Sequence, residues 1–245
     1  MIKEIIFKKI RFKNYHKNDI NKLFNKNGLF VFPSGPGLSS INNNKIYLES
    51  LRKSDHVFFD SGYFVLLLRF LKNISVKKFS GYLFFKYLIK NLQKNKFKNL
   101  LCIHPSDVLS QCNNDFFIKK KIKKDKIINY TAPYYNISKL SDTKLLKLID
   151  RYKPDYIIIN IGGGVQEILG YYLKKKFKNN IKIFCTGAAI SFFTGDQAPI
   201  NKFLDNYYMG WLLRIFYNPR IFLLRYFKAF KLFSIVISTK VIIKK

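Results

Sequence analysis

The sequence predicts an α/β fold with a mostly parallel sheet. Short apolar runs of strand length alternate with longer stretches of helical length. Tyr156-Ile157-Ile158-Ile159-Asn160-Ile161 is almost continuously apolar and β-branched, as in a central parallel strand covered on both faces. Most of the strand-like runs stop at Gly, Pro, Asp or Ser, the residues that turn a chain. Together these point to one Rossmann-like domain over residues 1–205, followed by a helical, basic segment over residues 206–245 that associates with a membrane.

The elements follow in order. Leu29-Phe30-Val31-Phe32 reads as a buried strand stopped by Pro33-Ser34-Gly35-Pro36-Gly37. Lys45 to Lys53 reads as a helix, and His56-Val57-Phe58-Phe59 as a strand ending at Asp60-Ser61-Gly62. Tyr63 to Leu71 and Tyr82 to Gln93 read as helices, the first strongly apolar. Leu100-Leu101-Cys102-Ile103 is a third strand, and Lys119 to Lys126 is a solvated basic turn or helix end. Leu140 to Tyr152 is an amphipathic helix, with Ser141 and Asp142 as capping candidates. After the Tyr156 strand come Gly162-Gly163-Gly164, a helix from about Val165 to Lys176, and a strand from Ile181 to Cys185 that ends at Thr186-Gly187.

The chain has 245 residues, of which 48% are hydrophobic and 17% aromatic, too apolar for a disordered chain. Its formal net charge of +31 suits an anionic partner: nucleic acid, an anionic membrane or a phosphorylated substrate. Codon bias offers a second origin for that charge, since Lys dominates and Asn, Ile, Phe and Tyr abound beside it. The seven Arg stand out against this background, and Arg214, Arg220 and Arg225 crowd near the C-terminus. After Asp205 eight basic residues occur and no acidic one. Plotted at 100° per residue from Arg220, Lys231, Lys228 and Arg225 fall at about 20°, 80° and 140°. Phe222, Leu223, Tyr226, Phe227, Ala229, Phe230 and Phe233 fall between about 180° and 340°, with Ile221 and Leu224 as exceptions on the basic side, as in a helix lying in a bilayer interface. The other reading of that face is packing on the protein's own core.

The longest run free of Asp, Glu, Lys and Arg, Asn27 to Asn44, is rich in Ser, Gly, Pro and Asn and reads as no membrane span. The first residues lack a signal-peptide apolar block, so a cytoplasmic protein is expected. Cys102, Cys112 and Cys185 are odd in number and widely spaced, and read as small buried hydrophobes rather than a disulfide or zinc framework. His16, His56 and His104 show no metal spacing, and His104 reads as a satisfied strand-end histidine.

Ligands of open α/β sheets bind beyond the carboxyl ends of the strands. There lie Ser34 to Gly37, Asp60 to Gly62, Gly162 to Glu167, and Thr186-Gly187. Gly162-Gly163-Gly164 before a helix lets backbone N–H groups approach a phosphate, or simply makes a tight turn. Gln166 and Glu167 either bond a sugar or base, or cap their own helix. Asp60 is a general-base candidate or the N-cap of the next helix. No DxD pair offers a metal platform for a nucleotide diphosphate, so helix N-termini and basic side chains would have to stabilise that leaving group.

These residues, with others, resemble the WecG/TagA/CpsF glycosyltransferases (glycosyltransferase family 26). Gly163-Gly164-Val165-Gln166-Glu167 is similar to that family's Gly/Gln-Glu segment. Thr186-Gly187-Ala188-Ala189-Ile190-Ser191-Phe192-Phe193-Thr194-Gly195 resembles its G-A-x-F-D-F-x-x-G block, and Ala198-Pro199 its A-P pair. Gly210-Trp211-Leu212-Leu213-Arg214, then Pro219 and Arg225-Tyr226, resemble its E-W-L-x-R…P…R-Y ending. Asp60-Ser61-Gly62 and Ser80-Gly81 fall at its D-G-x-G and S/T-G positions. The chain departs from the pattern in lacking Asp within Ala189 to Phe193, and in carrying Gln197 for Arg and Gly210 for Glu.

The resemblance implies an inverting transferase that needs no metal and no cofactor. It would move an N-acetylhexosamine-type sugar from a UDP-sugar to a polyprenyl-diphosphate-linked saccharide, in cell-surface polysaccharide synthesis at the inner face of the cell membrane. Asp60 would be the base. Ser34, Gly35, Ser61, Gly162, Gly163, Gly164, Gln166, Glu167, Thr186 and Gly187 would line the donor site. Arg214, Arg220, Arg225 and Lys228 would meet the acceptor diphosphate or an anionic membrane surface. Two other classes stay open from the sequence: an inactive membrane-bound relative, and a basic nucleic-acid-binding module, which no recognised motif supports and which the resemblance does not call for.

Overall fold

In the computed structural model, residues 2–178, 181–195, 215–216 and 219–244 are described. Among these residues nine strands form one sheet: β1 (Glu4–Phe7), β2 (Ile10–Lys13), β3 (Gly28–Val31), β4 (His56–Val57), β5 (Leu100–His104), β6 (Ile127–Thr131), β7 (Tyr156–Ile159), β8 (Lys182–Cys185) and β9 (Val241–Lys244). Their order is β6-β5-β7-β8-β3-β4-β2-β1-β9. Every pairing from β6 through to β2 is parallel, and only the β2–β1 and β1–β9 pairs at one edge are antiparallel. The expected mostly parallel α/β sheet is present.

Among the described residues the helices are α1 (Ile20–Leu23), α2 (Gly35–Ser39), α3 (Lys45–Arg52), α4 (Gly62–Lys72), α5 (Gly81–Lys94), α6 (Asp107–Lys119), α7 (Thr143–Tyr152), α8 (Val165–Lys176), α9 (Ser191–Thr194), α10 (Pro219–Ala229) and α11 (Lys231–Ser238). They cover both faces. Leu51, Phe64, Leu68, Leu145, Ile168, Leu169 and Leu232 pack on one, so α3, α4, α7, α8 and α11 lie there. Leu23, Phe84, Phe85, Leu88 and Phe117 pack on the other, which places α1, α5 and α6. Alternation along β7 serves both layers: Ile157 and Ile159 join the first core, Tyr156 and Ile158 the second. All four residues of β7 and all five of β5 are buried, which is why their sequences are apolar runs.

Two expected strands end early. The ladder of β4 stops at Val57 and that of β7 at Ile159, yet Phe58 N–H still donates to Val31 (3.0 Å) and Asn160 N–H to Ile103 (2.9 Å). The expected turn at Pro33–Gly37 enters α2, because Ser34 caps it and Pro36 suits a first helical turn. Asp142 caps α7 through Leu145 N–H (2.9 Å). The helix expected over Arg220 to Phe233 is broken at Phe230 into α10 and α11. Cys102 and Cys185 are buried as expected, whereas Cys112 on α6 is exposed. The expected boundary between residues 205 and 206 lies outside the described residues. Beyond it, β9 pairs with β1 and extends the sheet edge.

The topology creates a crevice. From β5 the chain runs through α6 to β6 on one side; from β7 it runs through α8 to β8 on the other. Helices α6 and α8 lie on opposite faces. Adjacent strands whose connections diverge open a cleft at their carboxyl ends, the usual ligand position in this architecture.

Candidate functional site

Asp60 follows the short β4, but it is not the cap of α4. Ser61 is, accepting from Phe64 N–H (3.2 Å). The Asp60 carboxylate instead reaches α5, where Oδ1 accepts the Gly81 N–H (2.8 Å). Ser80 caps that helix through Leu83 N–H (3.2 Å). The same helix start touches a second strand end, since a Cβ on Gly81 would lie 3.6 Å from the Thr186 carbonyl oxygen. A Cβ on Gly35 would lie 3.1 Å from Ser61 Oγ, so the β3 and β4 ends meet as well. Ser34 Oγ accepts from Gly37 N–H (3.3 Å). Ser34 and Ser61 are therefore helix caps whose hydroxyl protons remain available to donate.

Gly162 and Gly163 are exposed, and a Cβ added to Gly162 or Gly164 meets no atom within 4 Å. Gly164 takes φ +95°, a conformation that suits glycine. The first turn of α8 thus opens onto free space at the strand ends with the positive end of its dipole, while Gln166 N–H donates to the Gly162 carbonyl (3.1 Å). Glu167 is tied to that turn, its Oε2 accepting from Gly164 N–H (2.6 Å) and its Oε1 from Gln166 Nε2 (3.0 Å). Burial pushes the Glu167 carboxyl up to about 7, against the opposing pull of these hydrogen bonds, and the charge of Asp60 adds a smaller rise. At 1% exposure Glu167 supports the site from within. Capping, one of its two readings, is what its geometry shows.

Gln166 is different. Its side chain is 4% exposed and faces the next turn: a Cβ on Gly187 would lie 3.2 Å from its Nε2 and 3.3 Å from its Oε1. Gly187 itself has φ +55°. Thr186 Oγ1 donates to Asn160 Oδ1 (3.3 Å). Asp60, Gly81, Thr186, Gly187, Gln166 and Glu167 thus form one contiguous lip, joined by Ser61 and Gly35.

Sequence reasoning missed Asn160 and Gly81 as members of this lip. The signal for Asn160 was present: one carboxamide interrupts an otherwise apolar run at the end of a central strand. His104, at the end of the neighbouring strand β5, is held between Asn113 (3.0 Å) and Asn129 (3.1 Å), as expected of a satisfied histidine. Burial lowers its pKa, partly opposed by the Asn129 bond. Among the described residues, no three or more His, Cys, Asp and Glu side chains gather as a metal site would need.

Arg220 and Lys228 on α10 are exposed. Arg214 lies outside the described residues, as do Gln197, Ala198, Pro199, Gly210 and Trp211; the backbone of Arg225 belongs to α10, but its side chain is outside them too. No helix among the described residues is long and apolar enough to cross a membrane.

The architecture is that of an open α/β protein with a polar, glycine-turned lip at its strand ends. The chain belongs to the WecG/TagA/CpsF family of glycosyl transferases, whose family model matches residues 5–245. No curated protein sequence matches it. The family places the protein among glycosyltransferases of cell-surface polysaccharide synthesis, acting between a sugar donor and an acceptor.

Proposed function

We propose that the protein is an inverting, metal-independent transferase that moves an N-acetylhexosamine-type sugar from a UDP-sugar to a polyprenyl-diphosphate-linked saccharide. The observation that carries the reading is the Asp60 carboxylate, pinned to Gly81 N–H on the same lip as the open first turn of α8. In this reading the donor diphosphate lies against Gly162, Gly163, Gly164 and the α8 N-terminus. The sugar lies toward Gln166, Thr186 and Gly187.

Asp60 takes the proton of the acceptor hydroxyl as its oxygen attacks the anomeric carbon. The bond from that carbon to the diphosphate oxygen breaks on the opposite face, and UDP leaves with the bonding electron pair. Inversion follows from this single displacement. The positive end of the α8 dipole faces the charge that develops on the leaving diphosphate. A base so placed contributes roughly 10²–10⁴-fold.

The acceptor's lipid tail requires a membrane surface, and the C-terminal helices support that part of the reading. Leu223, Leu224, Phe227, Phe230 and Phe233 are exposed beside Arg220, Lys228 and Lys231. Position at the inner face of the cell membrane follows from the use of a cytoplasmic UDP-sugar. The test is a transfer assay on purified protein with a panel of UDP-sugars and a polyprenyl-diphosphate saccharide. Expected is UDP release matched by glycosylated lipid; nucleic-acid binding without either product sinks the proposal.

A further inference from the structure

Two carboxamides at the lip each keep one buried atom without a hydrogen-bond partner among the described residues: the Nδ2 donor of Asn160 and the Oε1 acceptor of Gln166. Asn160 is 7% exposed. Buried polar atoms are normally paired, so two orphans of opposite character in one place call for a ligand that supplies both partners. They flank consecutive residues, Asn160 bonding Thr186 and Gln166 lying against Gly187. Both are held in place: Asn160 N–H donates to Ile103 at the β5–β7 crevice, and Gln166 Nε2 is spent on Glu167.

Resting on the donor reading above, we propose that Asn160 and Gln166 together read the acetamido group of the donor sugar. Asn160 Nδ2 donates to the acetamido carbonyl oxygen, and Gln166 Oε1 accepts its N–H. A diphosphate offers only acceptors and leaves Gln166 Oε1 facing negative charge. A secondary amide carries one acceptor and one donor on adjacent atoms, the complement of the two orphans. An unacetylated sugar has a single hydroxyl there and cannot span both. Asn160 is thereby a specificity-determining residue for the donor proposed above.

The experiment is calorimetric titration of the full chain with UDP, with UDP-GlcNAc against UDP-glucose, and with UDP-GalNAc against UDP-galactose. Wild type is expected to bind the acetamido member of at least one pair about 10- to 100-fold more tightly, the scale of buried hydrogen bonds lost. Asn160→Leu, with the same branched heavy-atom shape and unable to donate, is expected to lose that preference while binding UDP as wild type does. Asn160→Ala, which also cannot donate, serves the same comparison if the leucine variant does not fold. Failure of wild type to bind UDP overturns the donor reading and the acetamido clamp with it. UDP binding without acetamido preference, or a preference that survives in the folded Asn160 variant, overturns the clamp alone.

Discussion

Asp60 does not cap the helix that follows it; its Oδ1 is held 2.8 Å from the backbone nitrogen of Gly81, twenty-one residues on, at the start of a different helix. The long-range bond fixes a carboxylate between two strand ends, where Ser61 has already taken over the capping of α4. Asp60→Asn keeps an oxygen for the Gly81 N–H and removes only the basicity. Turnover in a transfer assay is expected to fall by about 10²–10⁴-fold, with UDP binding unchanged. Wild-type turnover in that variant would reduce Asp60 to a structural tie.

Gly162 separates a folding role from a binding one. A Cβ there meets nothing within 4 Å, and its φ is outside the positive range that glycine alone favours. Gly162→Ala should leave the melting temperature within about a degree of wild type, or raise it slightly. The added methyl intrudes where a diphosphate would approach the α8 turn, so UDP affinity is expected to drop at least several-fold. Unchanged UDP affinity would move the diphosphate away from this turn.

Much of the lip was legible because its residues punctuate strands: Asp60-Ser61-Gly62, Gly162-Gly163-Gly164 and Thr186-Gly187 each end an apolar run. What was not legible depends on distant partners. Gly81 meets Asp60 only because α5 crosses the β4 end, and no local spacing encodes that. Strand β6 stayed hidden because it is a half-buried edge strand amid lysines. Strands β1 and β9 are short and antiparallel, and β9 is recruited from the far end of the chain. The split of the C-terminal helix at Phe230 is likewise a packing outcome, set where Ala229, Leu232, Ile235 and Val236 turn inward.

Glu167 gives the fold a pH dependence with a definite sign. Its carboxyl holds a proton up to about pH 7 when folded, against an ordinary value of 4.5. The folded chain therefore binds more protons than the unfolded one in this window. The stabilisation is complete below about pH 4.5 and is lost as pH rises through 7. Its size is at most about 3.5 kcal/mol, from about 1.4 kcal/mol for each pH unit of displacement. Glu167→Gln retains an acceptor for Gly164 N–H, and Gln166 can turn its Oε1 toward the new amide. Melting curves from pH 4.5 to 8 should show wild type losing stability relative to this variant as pH rises. Parallel curves would mean that Glu167 is ionised throughout.

The exposed arc of α10 makes the membrane prediction sharper than the sequence allowed. Ala229 faces the protein, with Leu232, Ile235 and Val236 of α11, and Phe230 meets Tyr63 of α4 at a ring separation of 6.0 Å. On the opposite side Leu224 is 66% and Phe227 72% exposed, with Arg220 and Lys228 beside them. Leu223, Phe227 and Phe230 of the apolar face are thus not spent on the protein's own core, and cationic and apolar side chains share one outward surface. Such a surface suits an anionic bilayer: each basic residue near it is worth about 1 kcal/mol, and each large apolar side chain roughly 1.5–3 kcal/mol if fully buried. Deleting everything after Pro219 would be a poor test, because it also removes the buried residues of α11 and the β9 edge. Leu224→Ser with Phe227→Ser touches only exposed positions and should leave the melting temperature nearly unchanged. Sedimentation with phosphatidylserine-containing vesicles is expected to fall by at least tenfold in that double variant. In wild type it should weaken as salt rises, because the cationic half of the attraction is screened. If the folded double variant sediments as well as wild type, α10 is not what holds the protein to the membrane.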